Sequence, residues 1–209
     1  MKKLFPGLFL SFLLTLSPAF SNAADSCTVW LIQAKQLMQA GEYQPAIRLI
    51  DQCLAISPAN AAACNLRGCA TILQAPINDE KNNTKAISYF NRAIQLDSSN
   101  CLYFNNRGWA WQNLDKYLLS LKDFEQCVQL DSNNVVFQGN VLRNYFIRNK
   151  NKEAYALCNK LITMFPEDGY AWYVRGQLKR DYLHKYPEGN KDVKKGEALG
   201  WHQGFNLMY

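Results

Sequence analysis

Residues 101–134 read CLYFNNRGWAWQNLDKYLLSLKDFEQCVQLDSNN. In its second half, Leu121, Phe124, Cys127, Val128 and Leu130 recur at helical spacing and make one apolar face. The polar run Asp131-Ser132-Asn133-Asn134 then stops that helix and caps the next. One unit earlier the same arrangement stands as Tyr89, Phe90, Ala93, Ile94 and Leu96, closed by Asp97-Ser98-Ser99-Asn100. Each stretch reads as helix–turn–helix. Neither helix can bury its stripe alone, so neighbouring units must stack.

The spacing extends along the chain. A small residue recurs as Ala46, Ala86, Ser120 and Ala154, at steps of 40, 34 and 34. The bulky column Ile50, Phe90, Phe124, Cys158 has the same steps, and Cys158 departs from its type. So do the core column Cys53, Ala93, Cys127, Leu161 and the turn column Pro58, Ser98, Ser132, Pro166. The pairs Arg67-Gly68, Arg107-Gly108 and Arg175-Gly176 stand 40 and 68 apart, and 68 is two periods.

These residues resemble the tetratricopeptide repeat family. Trp30, Ala34, Leu37, Ala46, Ile50, Cys53 and Pro58 fit its pattern in the first unit. Phe104, Gly108, Trp111, Tyr117, Ser120, Phe124 and Cys127 fit it in the third. The resemblance implies an all-α, right-handed solenoid. Units run over about 27–60, 61–100, 101–134 and 135–168, with a further first-type helix from Gly169 that carries Trp172 and Gly176. Residues 24–182 form the solenoid and 183–209 a basic loop and C-terminal capping helix. The second unit has six residues in excess, read as a polar loop over 74–83. In the tail, 184–190 reads as a loop and 192–208 as a helix broken at Gly196 and Gly200.

The resemblance also implies a concave face lined by the first helix of each unit. Carried over by position, its side chains include Leu31, Lys35 and Met38, then Asn65, Cys69 and Ile72, then Asn105, Trp109 and Gln112. The last two units contribute Arg143, Phe146 and Ile147, then Tyr173, Gln177 and Arg180. The expectation is a peptide groove. Amides at Asn65 and Asn105 hold a ligand's backbone, and Gln112 lines the same face. Trp109, Phe146 and Tyr173 anchor apolar side chains, and Lys35, Arg143 or Arg180 holds a carboxylate. The family's basic clamp for a chaperone's terminal carboxylate is not reproduced, because Leu31 and Leu102 stand where basic residues are wanted.

Cysteine usage points to an oxidising compartment: the chain has seven. Cys27 to Cys53 and Cys101 to Cys127 are both 26 residues apart and join equivalent places, so each pair is a disulfide candidate. Cys53–Cys64 is a rival pairing. The odd count leaves at least one thiol, and Cys158, in a core column, is the choice for it. A redox or metal role through Cys64 and Cys69 is the alternative from another class. Their five-residue spacing turns them to different helix faces, and no second cysteine pair of ligand spacing supports it. No phosphate loop, nucleophile elbow or zinc-protease motif is present, and the two histidines lie near the C-terminus. No enzyme, metal or cofactor is therefore expected.

Residues 1–23 read as a secretory signal. Lys2 and Lys3 precede an apolar run from Leu4 to Phe20, broken by Pro6 and Pro18, and Ser21-Asn22-Ala23 supplies a cleavage site. Without that segment the chain keeps 21 basic side chains (23 less Lys2 and Lys3) against 17 acidic ones, a net charge of +4. That surplus is too small to argue for nucleic acid. The expectation is an exported scaffold, periplasmic or secreted, bound to a protein or peptide and without a membrane span after cleavage. The alternative is an architectural subunit that self-associates through its outer face.

Overall fold

A computed structural model describes residues 23–76 and 79–201; the expected signal segment lies outside them except for its last residue. Among the described residues ten helices follow one another: α1 (Ala23–Gln39), α2 (Tyr43–Ile56), α3 (Ala61–Leu73), α4 (Glu80–Leu96), α5 (Cys101–Asn113), α6 (Tyr117–Leu130), α7 (Val135–Ile147), α8 (Asn151–Met164), α9 (Gly169–Asp181) and α10 (Tyr186–Ala198). Each packs on the next, so the chain is an all-α solenoid of helical hairpins. Odd-numbered helices also meet one another, α1 with α3, α3 with α5 and α7 with α9, which makes them one layer.

Two chemical devices repeat with the period. Asn60, Asn100, Asn134 and Asp168 each cap an odd-numbered helix, their side-chain oxygens accepting from N–H groups of the first turn. The turn inside a hairpin carries one residue of positive φ: Gly41, Asp115, Asn149 and His184. Gly, Asn and Asp visit that left-handed region readily, and His184 is the least suited of the four.

The hairpins are locked by a glycine facing a ring. A Cβ on Gly68 would lie 2.5 Å from Phe90 Cε1, and one on Gly108 would lie 2.7 Å from Phe124 Cε1. The fourth unit inverts this pair. One period after Gly108 and Phe124 stand Leu142 and Cys158, both fully buried in one cluster. The volume has moved from one helix to the other. The backbones of α7 and α8 also approach each other least closely of the five hairpins.

A second lock was not foreseen. Arg67 donates to Asp51 at 2.8 Å, Arg107 to Asn91 at 2.7 Å and Arg175 to Asn159 at 3.0 Å. In each case the partner lies 16 residues back, on the preceding hairpin. Arg107 and Arg175 also grip Asp123 and Asp192 on the following helix, each through two N–H groups. In the fourth unit Val141 takes the arginine's place.

Two expected loops are shorter than read from sequence. Residues 80–83 belong to α4, which Asp79 caps by accepting from the Asn82 N–H. In the tail, α10 begins at Tyr186 and runs unbroken through Gly196. Its glycines serve packing. A Cβ on Gly189 would lie 2.8 Å from the Gly176 carbonyl oxygen, and one on Gly196 would lie 2.7 Å from that of Gly169. Gly189, Val193 and Gly196 follow Ala154, Cys158 and Leu161 by 35 residues, so α10 completes a fifth hairpin as its cap.

Of the cysteine pairs, Cys27–Cys53 is a disulfide, with Cα atoms 4.8 Å apart. Cys101 and Cys127 are free thiols, a correction to the symmetric expectation. The Cys127 Sγ–H donates to the Cys101 carbonyl oxygen at 3.1 Å instead. Cys64 is also free, so the rival Cys53–Cys64 pairing is absent, and Cys158 is a buried thiol as expected.

Candidate functional site

The layer of odd-numbered helices holds every residue expected to line the groove, but burial divides them. Asn105 is 0% exposed and Asn65 4%. Their amides link helices: Asn140 Nδ2 donates to Asn105 Oδ1 at 2.7 Å, Asn105 Nδ2 to Asn106 Oδ1 at 3.4 Å, and Asn106 Nδ2 to Asn65 Oδ1 at 2.9 Å. This chain ties α3, α5 and α7 together. Asn105 therefore cannot hold a ligand's backbone, which corrects the expectation. The chain ends at Asn140 Oδ1, which has no hydrogen-bond partner among the described residues. Sequence reasoning missed Asn106 and Asn140, whose only signal is an amide at adjacent helical positions.

The other expected residues fall into three places. The first is a cavity of about 340 Å³ lined by α1, α3 and α5. Leu31, Ile32, Leu102 and Tyr103 give it apolar walls, and Thr28, Lys35, Asn60, Asn65 and Asn100 are its polar members. Of these the sequence pointed to Leu31, Lys35 and Asn65. Ile32 is 53% exposed for want of cover.

The second place is on α5 and α7. The Arg143 guanidinium lies 5.4 Å from the centre of the Trp109 ring, a cation–π stack. Trp109 also meets the Phe124 ring edge-on at 5.9 Å. Gln112, one turn on, is 8% exposed, and neither of its amide atoms has a hydrogen-bond partner among the described residues. Phe146 is half-buried against the core of α7, α8 and α9.

The third place is α9. The Tyr173 hydroxyl accepts from Gln177 Nε2 at 2.8 Å, and its ring meets Trp201 edge-on at 5.7 Å. Arg180 lays its stem over Gly189, where a Cβ would lie 2.5 Å from its Cγ. It belongs to the closure of the fifth hairpin more than to the groove.

The thiols have the chemistry of core residues. Burial pushes the Cys69 thiol up to about 12 and raises that of Cys64, although Arg92 opposes the shift at Cys64. Cys69 Sγ accepts from Asn106 Nδ2 at 3.3 Å. Raised thiols are poor nucleophiles at neutral pH, so the geometry gives no support to redox chemistry there. Among the described residues no three His, Cys, Asp or Glu side chains gather at one point, and no helix is long and apolar enough to cross a membrane.

Comparison with known proteins agrees with this architecture. The chain superimposes on PilF of Pseudomonas aeruginosa with a TM-score of 0.73 at 15% identity, covering 87% of this chain and 79% of that one. The fold is that of a tetratricopeptide-repeat solenoid. MamA of Desulfovibrio magneticus RS-1 gives a TM-score of 0.69 at 12% identity, covering 85% of this chain and 97% of that one. YrrB, described as a TPR protein with an unusual peptide-binding site, gives 0.64 at 16% identity, covering 85% and 88%. A UDP-N-acetylglucosamine–peptide N-acetylglucosaminyltransferase of Giardia intestinalis is 24% identical over 123 residues, 59% of this chain. The chain spans 7% of that enzyme's length. No family model matches the chain.

Proposed function

We propose that the chain is an exported protein-interaction scaffold, without catalysis of its own, that holds a peptide segment or helix of a partner against its odd-numbered helices. The observation that carries this reading is the gathering on one layer of an apolar cavity with a lysine at Lys35 and a stacked Trp109–Arg143 pair. Such surfaces combine apolar anchors with few polar groups that fix orientation. The peptide-binding site ascribed to YrrB, a protein of similar fold, supports it. Export rests on the signal-like residues 1–23 and is consistent with the Cys27–Cys53 disulfide.

Affinity capture tests the proposal, with the oxidised chain as bait and the source's exported proteome as prey. A Trp109→Ala/Phe146→Ala variant runs alongside, after circular dichroism shows that it folds. The expected result is a partner held by wild type and lost by the variant. A partner held equally by both would remove the groove from the mechanism.

One observation favours a second reading, an architectural or self-associating subunit. Ile56, Leu96, Leu130 and Met164 stand at equivalent ends of α2, α4, α6 and α8, each 39–45% exposed. Such a row is an outer-face contact surface. Sedimentation velocity over a range of concentrations separates this reading from the first.

A further inference from the structure

The cavity between α1, α3 and α5 has features that define what would enter it, and the inference rests on the groove reading above. Its volume of about 340 Å³ lies at the low end of ligand pockets, which run to about 300–1,000 Å³. It suits one or two residues of an extended chain. Most of its wall is apolar, through Leu31, Ile32, Leu102 and Tyr103. Five polar side chains break that wall: Thr28, Lys35, Asn60, Asn65 and Asn100. The Asn60 and Asn100 oxygens accept from the first turns of α3 and α5, which leaves their NH2 ends as donors. Lys35 is exposed and has no ion pair among the described residues. Asn65 is 96% buried, the complement of its 4% exposure. Because its oxygen is taken by the Asn106 amide, its NH2 is the end left over. That NH2 has no hydrogen-bond partner among the described residues. The first turns of α3 and α5 form part of the wall, and their dipoles add positive potential to that of Lys35. No acidic side chain lines the cavity.

We infer that this cavity receives one large apolar side chain of an extended partner segment whose neighbouring residue is an aspartate or glutamate. The apolar side chain fills the space beside Leu31, Ile32 and Leu102. The carboxylate pairs with Lys35 at the rim. The Asn65 NH2, the end of that amide not engaged by Asn106, donates to the main-chain carbonyl between them. A phosphodiester backbone is a poor fit, since the cavity supplies a single cationic side chain.

The test is a selection of phage-displayed random 12-residue peptides on the full chain. Affinities of the selected peptides are then measured by fluorescence anisotropy. Expected sequences carry Asp or Glu within two residues of Leu, Ile, Met or Phe. Lys35→Glu reverses the rim charge, and Ala62→Trp fills the cavity from an exposed wall position. Each is expected to weaken binding tenfold or more, while Lys35→Arg keeps it within threefold. Both variants change exposed residues, and circular dichroism checks that they fold. Peptides that bind without an acidic residue, or that ignore both Lys35→Glu and Ala62→Trp, overturn this assignment. If such peptides instead respond to Trp109→Ala, the groove reading survives and this one does not. If no peptide is enriched, both readings fall.

Discussion

The inverted pair in the fourth unit makes a quantitative prediction for the third. Phe124→Cys removes most of a fully buried ring, and such truncations cost about 3–5 kcal/mol. Gly108→Leu places side-chain atoms where a Cβ alone would already be 2.7 Å from the ring. Overpacking of that kind costs about 1–3 kcal/mol. Independent effects would therefore sum to at least about 4 kcal/mol for the double variant. The fourth unit shows that Leu and Cys fill the same two places together, as Leu142 and Cys158 do. The double variant should then be less destabilised than Phe124→Cys alone, at about 2 kcal/mol, a coupling of at least about 2 kcal/mol. Urea unfolding followed by circular dichroism measures the four stabilities of the cycle. Hydrogen exchange in α5 and α6 keeps the readout local, because solenoids unfold by unit. Additivity within about 0.5 kcal/mol would refute the idea that the two positions share one volume.

Further predictions concern other parts of the chain. Asn105→Ala should destabilise by about 1–3 kcal/mol, because it strands buried amide partners; at saturating folded protein it should leave peptide affinity unchanged, which anisotropy can check. His184→Gly should raise stability by about 1 kcal/mol by removing left-handed strain, read as a shift in the urea midpoint. Reduction of Cys27–Cys53 opens a 26-residue span and should cost about 3–4 kcal/mol on the loop-entropy account, seen as a lower melting temperature in a thiol reductant. Acid should act on the two Arg–Asp locks in opposite senses. Burial acts to raise the Asp192 carboxyl, but hydrogen bonds and charge from Arg175 and Lys179 outweigh it and hold the carboxyl below its ordinary value. Its stabilising contribution is full above about pH 4 and disappears as pH falls through the lowered value. Burial raises the Asp123 carboxyl despite Arg107, so its contribution grows on acidification. Between pH 6 and pH 3, hydrogen-exchange protection should fall in α9 and α10 relative to α5 and α6; the reverse order would show the signs to be wrong.

The solenoid is legible in the sequence because its signal is redundant. Four columns repeat at the same steps, and a packing error in one unit, such as Cys158, does not disturb the rest. What lies between columns is not legible. Cys158 reads as a defect until Leu142 is seen to compensate it, and that relation joins two helices. The same limit explains the asparagines. Asn65 and Asn105 occupy equivalent places, and position alone assigns them to a surface. Their burial depends on how closely α3, α5 and α7 approach and on which neighbouring amides meet them. The cysteine pairs show the limit again: equal spacing puts Cys101 and Cys127 in the right register, but only one of two equivalent pairs is bonded. Glycines in the tail read as helix breakers by propensity. In the structure Gly189 and Gly196 permit contact between α9 and α10 that outweighs their entropic cost, about 1 kcal/mol each.

The fourth unit supplies no arginine of its own, although Arg175 bridges to its Asn159, and it lacks the glycine–ring lock; its two helices approach each other least closely of the five hairpins. Rigidity along the solenoid is therefore expected to be uneven. The hairpins before it, which carry the apolar cavity, and the closely joined α9 and α10 after it are expected to move as stiffer arms about α7 and α8. A short ligand seated at one end would feel a fixed surface. A longer one reaching from Lys35 to Tyr173 would set the curvature of the whole arc, and part of its binding energy would go into bending at α7 and α8.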